Sequence, residues 1–147
     1  MNAERKRVVL FLCTGNSCRS QMAEALLRRH GGGRFEVHSA GTGPHPIAER
    51  TKQVMAEVDI SLDGHRPKHV DELLETVTVD YLITVCGNAE ETCPAVWPRS
   101  PDLQRLHWPF DDPAAATGSD EDKLALFRRV RDQIDATIRS WLAEAED

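Results

Sequence analysis

The sequence lacks an excess of positive charge, a long hydrophobic run and a nucleotide-binding loop. Its 18 lysines and arginines are outnumbered by 24 aspartates and glutamates, and the resulting formal net charge of −6 disfavours a nucleic-acid surface. The apolar segment 8–12 has only the length of a β-strand, so it predicts neither a signal peptide nor a membrane span. No Gly-Lys-Ser/Thr motif is present, which argues against a phosphate loop of the nucleotide-binding type.

Linkers, internal repeats and low-complexity tracts are also missing from the sequence. A chain of 147 residues is long enough for a sizeable core, so we expect residues 1–147 to form one compact domain. We also expect a cytoplasmic protein. In that compartment, four cysteines in a chain of this length indicate catalysis, metal binding or redox exchange more than permanent disulfides.

Short apolar runs alternate with segments of helical periodicity along the chain. We predict strands at 8–12, 35–39, 80–85 and 104–108, and helices at 21–30, around 47–58, and from a Ser119 cap onward. The last helix carries a stripe of expected core residues: Phe127, Val130, Ile134, Ile138, Trp141 and Leu142. This alternation predicts an α/β fold, a three-layer domain with a parallel sheet between helices. Ligands of such sheets bind at the carboxyl ends of the strands.

The first predicted strand ends in a polar loop that opens on Cys13 and closes on Arg19. The loop precedes a predicted helix, where unpaired N–H groups and the positive end of the helix dipole favour an anion. Gly15 lets the backbone turn closely around that anion, and Arg19 offers a planar fork to two of its oxygens. The same field stabilises a thiolate. Cys13 is therefore the predicted nucleophile, with Ser17 and Ser20 as candidate hydroxyl donors.

Two further cysteines, Cys86 and Cys93, are seven residues apart and are followed by Gly87 and Pro94. In a continuous helix their α-carbons would be ~10 Å apart by rise alone, whereas a disulfide requires less than ~7 Å. A bond between them would therefore force the segment to unwind or fold, which is a signature of a redox switch. Two unrelated buried cysteines remain an alternative, and a zinc site is a weaker one because the spacing is unsuitable.

A pair of carboxylates, Asp111 and Asp112, precedes Pro113. Displacing an oxygen from a tetrahedral oxyanion requires a proton for the leaving group, and a carboxylic acid held over the loop can supply it. The alternative is an ordinary turn on a surface loop, because the Asp-Asp-Pro combination is common in turns.

Residues 11–24, with Cys-x5-Arg-Ser directly after a strand, resemble the phosphate loop of the low-molecular-weight protein tyrosine phosphatase fold. They are most similar to its thioredoxin-coupled arsenate reductases, which also carry the Cys-Gly-x5-Cys-Pro element that ordinary phosphatases lack. The resemblance implies a four-stranded parallel sheet in the order 2-1-3-4. It also implies that Asp112 is the acid, because the family's acid directly precedes the proline. Alanines at 114–116 stand where the phosphatases place aromatic residues, which favours a small inorganic substrate.

The resemblance also implies a reaction, the reduction of arsenate to arsenite in arsenic detoxification. Cys13 attacks arsenic while Asp112 protonates the departing hydroxide, and Cys86 then attacks Cys13 and releases arsenite. Cys93 next attacks Cys86, and thioredoxin reduces the resulting disulfide. The implied oxyanion-binding residues are Thr14, Gly15, Asn16, Ser17, Cys18, Arg19 and Ser20, with the Cys18 side chain packed behind the loop. Phosphate and sulfate are the expected competitors, and we expect a monomer.

Asn16, Glu24 and Ser39 resemble three positions that bind potassium in some members of the family. The fourth ligand there is an aspartate from a region that here reads Gly-His-Arg-Pro-Lys at 64–68, without an acid. A nearby arginine or lysine can replace the charge of the cation. We therefore expect neither a metal nor another cofactor.

Two other function classes remain open. A phosphomonoesterase on the same loop would need Cys13, Arg19 and Asp112 but neither Cys86 nor Cys93. A non-enzymatic redox or metalloid sensor would use the cysteines to signal to a protein partner, without multiple turnover.

Overall fold

Four parallel strands form the sheet of the computed structural model, which describes residues 6–13, 15–43, 45–74, 77–85, 103–113 and 116–145. The strands are β1 (Arg7–Cys13), β2 (Phe35–Gly41), β3 (Tyr81–Thr84) and β4 (Gln104–His107). Their order is β2-β1-β3-β4, and every neighbouring pair is parallel. The predicted α/β class and the 2-1-3-4 order are confirmed.

Helices cover both faces of the sheet. They are α1 (Arg19–Gly31), α2 (Glu49–Ala56), α3 (Asp71–Leu74) and α4 (Asp120–Ala145), and a short 3₁₀ turn (Gly32–Arg34) follows α1. Alternate side chains of β1 point to opposite faces, as the pleat requires. Val9 and Phe11 pack in the cluster that contains residues of α1 and α4, whereas Leu10 and Leu12 pack with Val70 of the other layer.

The predicted boundaries agree with the observed ones to within a few residues. β2 continues two residues past the predicted end at 39, and β3 covers only the middle of the predicted 80–85 strand. The one-turn helix α3 was not predicted, because four residues are too few to show a helical period. Of the helices that the structure describes, none combines the length and the apolar character that a membrane crossing requires.

The start and the apolar stripe of α4 are confirmed. The Asp122 amide donates to the Ser119 hydroxyl and the Ser119 amide donates to the Asp122 carboxylate, each at 3.1 Å. This reciprocal cap satisfies two donors at the helix start. Five of the six stripe residues are buried, and Trp141 lies partly buried against the rings of Phe35, Tyr81 and Trp108.

Helices α2 and α4 are joined by an ion-pair cluster around Glu57, the residue that follows α2. Arg128 donates from Nη2 to Glu57 Oε2 at 2.6 Å, and Arg131 donates from Nη1 to Glu57 Oε1 at 2.8 Å. The hydrogen bonds from Arg128, with those from Arg131, lower the pKa of Glu57 from 4.5 to about 2. The carboxylate is one-third exposed, so solvent screening limits its contribution to stability.

We predict that Glu57→Gln lowers Tm at pH 7 by roughly 2 °C, because a partly exposed cluster of charges is weakened. A group with a lowered folded-state pKa stabilises the protein above its unfolded pKa and loses that effect as pH falls through the folded value. The Tm difference between wild type and variant should therefore be full above pH 4.5 and vanish toward pH 2. Thermal melts at several pH values measure it, and a difference independent of pH would contradict the prediction.

Candidate active site

The predicted nucleophile ends the central strand of the sheet. Cys13 is the last residue of β1, is buried and is a free cysteine. Residues 15–18 then bend into α1, which begins at Arg19, while Thr14 lies outside the described residues. The backbone amide of Asn16 donates to the Cys13 sulfur at 3.2 Å. The sulfur therefore lies at the carboxyl edge of the sheet, in front of a helix N-terminus.

The Ser20 hydroxyl lies 2.9 Å from the Cys13 sulfur, and either atom can be the donor. Asn16 Nδ2 donates to Ser20 Oγ at 2.8 Å, so the Asn16 side chain fixes the position of the hydroxyl that faces the sulfur. We expected Ser17 to act in the same way, but its hydroxyl lies 3.6 Å from the sulfur of Cys18.

Asn16 adopts a left-handed conformation with φ of 50°, although it is not a glycine. Such a conformation is unfavourable for most L-residues, and asparagine tolerates it better than others. The side chain is fully buried, and its Oδ1 accepts hydrogen bonds from the Lys68 amide at 2.8 Å and from Gln21 Nε2 at 3.0 Å. These two donors fix which end of the Asn16 amide faces Ser20.

Arg19 connects the loop to two other segments. Its guanidinium is buried, and Nη1 donates to the carbonyl oxygens of Val85 at 3.3 Å and Phe110 at 3.1 Å. Its Nη2 lies 3.8 Å from Asp112 Oδ2, and the Asp112 side chain is 36% exposed. Asp111, the other candidate acid, is exposed. The structure thus brings Arg19 and Asp112 together at the edge where β1 ends.

Cys18 packs in the hydrophobic core, as the sequence analysis expected. It is 3% exposed and belongs to the cluster that contains α1 and α4 residues. Burial raises the pKa of the Cys18 thiol, while side-chain contacts with Thr51 and Ser17 act in the opposite direction. A protonated, buried thiol is a poor nucleophile.

The residues around Glu24 do not fit a potassium ion. Ser39 Oγ donates to Glu24 Oε1 at 2.5 Å, but Arg28 Nη1 lies 2.6 Å from Glu24 Oε2 and Lys68 Nζ lies 3.9 Å from Oε1. His65 Nδ1 is also 3.9 Å from the carboxylate. Burial lowers the pKa of Lys68 and that of His65, and Glu24 opposes both shifts. Side-chain cations of the protein therefore already supply positive charge to Glu24.

We predict that oxyanion affinity and Tm are the same in KCl, NaCl and choline chloride at equal ionic strength. The reason is that Arg28 and Lys68 already supply positive charge to the buried Glu24 carboxylate. Calorimetric titration with sulfate and thermal melts in the three salts measure the two quantities. A rise in affinity or Tm specific to potassium would contradict this interpretation of the cluster.

Some predicted site residues lie outside the described residues: Thr14, Cys86, Cys93, Ala114 and Ala115. Within the part of the chain that is described, no group of three or more His, Cys, Asp or Glu side chains is placed to hold a metal. Sequence reasoning missed Gln21 and Thr51, which contact the loop. Both are fully buried polar side chains in helices, and the sequence alone carries no signal for their partners.

Known proteins match the chain over nearly its whole length. Residues 8–147 match the family model described as low molecular weight phosphotyrosine protein phosphatase. An arsenate reductase from Halalkalibacterium halodurans is 43% identical over 137 residues, which are 92% of this chain and 95% of that protein. An arsenate reductase from Bacillus subtilis is 39% identical over 136 residues, 92% of this chain and 94% of that protein.

Solved structures of arsenate reductases are also similar to this chain. A thioredoxin-dependent arsenate reductase from Corynebacterium glutamicum has a TM-score of 0.72 at 27% identity, covering 99% of this chain and 64% of that longer one. An arsenate reductase in its oxidized state has a TM-score of 0.76 at 26% identity, covering 94% of this chain and 98% of that one. Cys13, Arg19 and Asp112 lie at one edge of this sheet. The family match and the similar sequences show that the chain belongs to the low molecular weight phosphotyrosine protein phosphatase family, alongside its arsenate reductases.

Proposed function

We propose that this protein reduces arsenate to arsenite in arsenic detoxification, with thioredoxin as the reductant. The observation that carries the proposal is the environment of the Cys13 sulfur, which accepts a hydrogen bond from the Asn16 amide at 3.2 Å and lies 2.9 Å from the Ser20 hydroxyl. The sulfur thus lies at the start of a helix, where unpaired N–H groups bind a tetrahedral oxyanion within reach of its attack. The relatives named arsenate reductase support this choice of substrate.

In the first step, the Cys13 thiolate attacks arsenic. A sulfur–arsenic bond forms, and one arsenic–oxygen bond breaks. Asp112 supplies the proton with which that oxygen leaves as water. Arg19 balances the negative charge of the oxyanion, and its contact with Asp112 holds the acid at the same edge. Arsenic remains in its higher oxidation state in this adduct.

The second step transfers the electrons. Cys86 attacks the Cys13 sulfur, a Cys13–Cys86 disulfide forms, and the electron pair of the broken sulfur–arsenic bond stays with arsenic, which leaves as arsenite. Cys93 then attacks Cys86, which frees the Cys13 thiolate and leaves a Cys86–Cys93 disulfide. The thioredoxin dithiol reduces that bond. Arg19 contacts the carbonyl of Val85, the residue that precedes Cys86 in the sequence, so the described chain reaches the loop one residue before Cys86.

We predict that Cys93→Ser completes one turnover and then stalls. The first two attacks remain possible in the variant, but the Cys13–Cys86 disulfide has no internal thiol to resolve it. Arsenite released per enzyme is measured in a rapid-mixing assay with thioredoxin, thioredoxin reductase and NADPH. Cys93→Ser should give a burst of about one equivalent, and Cys86→Ser should give no arsenite burst.

Sustained thioredoxin-coupled turnover by Cys93→Ser would overturn the relay. Wild-type enzyme in the same assay is the control, and its multiple turnover separates an enzyme from a sensor that only forms a stable complex with a partner. A wild type that binds arsenate without releasing arsenite would overturn the proposed reaction itself.

Phosphomonoester hydrolysis is the second candidate, because residues 8–147 match the phosphatase family model. It shares the first step, with phosphorus in place of arsenic, and needs neither Cys86 nor Cys93. Slow hydrolysis of an aryl phosphate that survives in Cys86→Ser and Cys93→Ser is the expected result. Hydrolysis that exceeds arsenate reduction in kcat/KM would make phosphatase the main function.

A further inference from the structure

Carbonyl oxygens of the loop accept hydrogen bonds from the surrounding protein. Gly15 O accepts a hydrogen bond from the His45 amide at 2.9 Å, and Asn16 O accepts one from Gln21 Nε2 at 3.1 Å. In a trans peptide the carbonyl of one residue and the amide of the next point in opposite directions. When the carbonyl of one residue is hydrogen-bonded to protein outside the loop, the amide of the next residue therefore points toward the Cys13 side of the loop. The Asn16 amide, which follows the anchored Gly15 carbonyl, does donate to the Cys13 sulfur.

The next carbonyl along the loop is anchored in the same way from α2. Ser17 O accepts from the Ala48 amide and from the Thr51 hydroxyl, each at 3.2 Å. By the same peptide geometry, this anchoring aims the Cys18 amide inward. Thr51 is 34 residues from Ser17 in sequence and is fully buried. Two of the four anchors are backbone amides, and two, Gln21 and Thr51, are side chains.

We propose that Gln21 and Thr51 are positioning residues of the oxyanion loop, whose side chains aim the Ser17 and Cys18 amides at the bound oxyanion. This role rests on the proposed function only in taking the loop as an oxyanion site. Neither side chain has a part in the chemistry. Their effect is on how well the loop is preorganised for the anion, and hence on affinity and on the reactivity of Cys13.

Gln21 makes more contacts than a simple anchor requires. Its Nε2 also lies 3.0 Å from both Asn16 Oδ1 and the Arg66 carbonyl, and its Oε1 lies 3.2 Å from His65 Nδ1. The two hydrogens of Nε2 serve three acceptor oxygens, so one hydrogen is shared, and together these contacts fix the orientation of the amide group. The contacts to both Asn16 oxygens hold that residue in its left-handed conformation, which costs free energy when it is unsupported.

Burial of these two polar side chains also needs explanation. A buried amide or hydroxyl without hydrogen bonds is destabilising, and removing only one partner of a buried hydrogen bond leaves the other partner unsatisfied. Gln21 and Thr51 are both fully buried, and each directs a donor at a loop carbonyl. If the two side chains were apolar, the Asn16 and Ser17 carbonyl oxygens would lose these donors, so the loop would lose its preferred orientation.

The test uses full-length variants and inorganic sulfate as the probe. Gln21→Met removes the donor at similar size, and Thr51→Val removes the hydroxyl at the same shape. We expect the Kd for sulfate to rise about tenfold in Gln21→Met, as for the loss of about 1.4 kcal/mol. A rise of about threefold is expected in Thr51→Val, where the Ala48 amide still holds the carbonyl, and Thr51→Ser should restore wild-type affinity.

Two controls separate positioning from stability. Thr137→Val makes the same chemical change in α4, where the hydroxyl donates to Gln133 O of its own helix. Asp80→Ala removes the buried acceptor of the Val8 amide near the start of β1, so it lowers stability away from the loop. Both should bind sulfate with wild-type affinity, whatever their Tm. The rate at which iodoacetamide alkylates Cys13, followed by peptide mass spectrometry, should fall in Gln21→Met and not in the controls.

The proposal is overturned if Gln21→Met and Thr51→Val bind sulfate like the wild type. It is also overturned if Asp80→Ala, at a similar fall in Tm, loses as much sulfate affinity as Gln21→Met and Thr51→Val, since lower stability alone would then explain the effect. A wild type that binds no sulfate overturns it as well. A wild type that binds sulfate but does not reduce arsenate overturns the proposed function and leaves the positioning role to be judged by the binding data.

Discussion

Cys13→Ser is expected to lower thioredoxin-coupled arsenate reduction by at least about 10⁴-fold, because the attacking atom is removed. A serine hydroxyl is far less ionised than a thiol at neutral pH, and oxygen cannot form the disulfide that returns electrons to arsenic. Arsenate-dependent NADPH oxidation measures the loss. The change is nearly isosteric, and the Asn16 amide and Ser20 hydroxyl remain in place to face the new oxygen.

Sulfate binding is the internal control for this variant. The loop amides and Arg19 are unchanged and the substitution is nearly isosteric, so Cys13→Ser should bind sulfate about as well as the wild type. Loss of both activity and sulfate binding would indicate a collapsed loop rather than a missing nucleophile. Residual arsenate reduction above one per cent of wild type would assign the first attack to another cysteine.

Arg19→Lys is expected to lower kcat/KM for arsenate by about 10²–10³-fold, even though the charge is kept. The guanidinium is planar and donates in fixed directions, and one end of it is held by the carbonyls of Val85 and Phe110. A lysine ammonium is a point charge on a flexible stem and cannot hold those carbonyls and an oxyanion together. Steady-state kinetics over a range of arsenate concentrations measure the change.

Arg29→Lys is the matched control, because it makes the same substitution on the exposed side of α1. Arg29 Nη2 donates to the Asp59 carbonyl at 3.0 Å, outside the loop. This variant should keep wild-type kcat/KM. Arg19→Lys with kcat/KM within about threefold of wild type would show that charge alone is required at the site.

Most of the strands and helices could be predicted from local sequence patterns, whereas the order of the strands in the sheet came from the family resemblance. The apolar run at 8–12 became the buried centre of β1, and Ser119 caps α4. The one-turn helix α3 was missed because its four residues have no period to detect. Boundaries such as the end of β2 at Gly41 depend on pairing with β1, where Cys13 lies opposite Gly41.

The candidate site was predictable in its chemistry and only partly in its geometry. The spacing of Cys13 and Arg19 predicted an oxyanion loop, and the choice of Asp112 over Asp111 came from resemblance. The structure adds a physical reason for that choice, since Asp112 lies 3.8 Å from Arg19 while Asp111 is exposed. The hydroxyl facing the Cys13 sulfur belongs to Ser20, whereas the Ser17 hydroxyl faces Cys18. Sequence spacing does not tell which of the two serines contacts Cys13.

The sequence by itself determined the strand–loop–helix unit, its sulfur and its arginine, because neighbouring residues build that unit and chain order sets their spacing. Only the tertiary structure decided what surrounds it. Lys68 reaches Asn16 across 52 residues and Thr51 reaches Ser17 across 34, and both contacts depend on how separate segments pack. A hydrogen bond between distant segments leaves no pattern along one chain, so the cations beside Glu24 and the anchors of the loop became visible only in the fold.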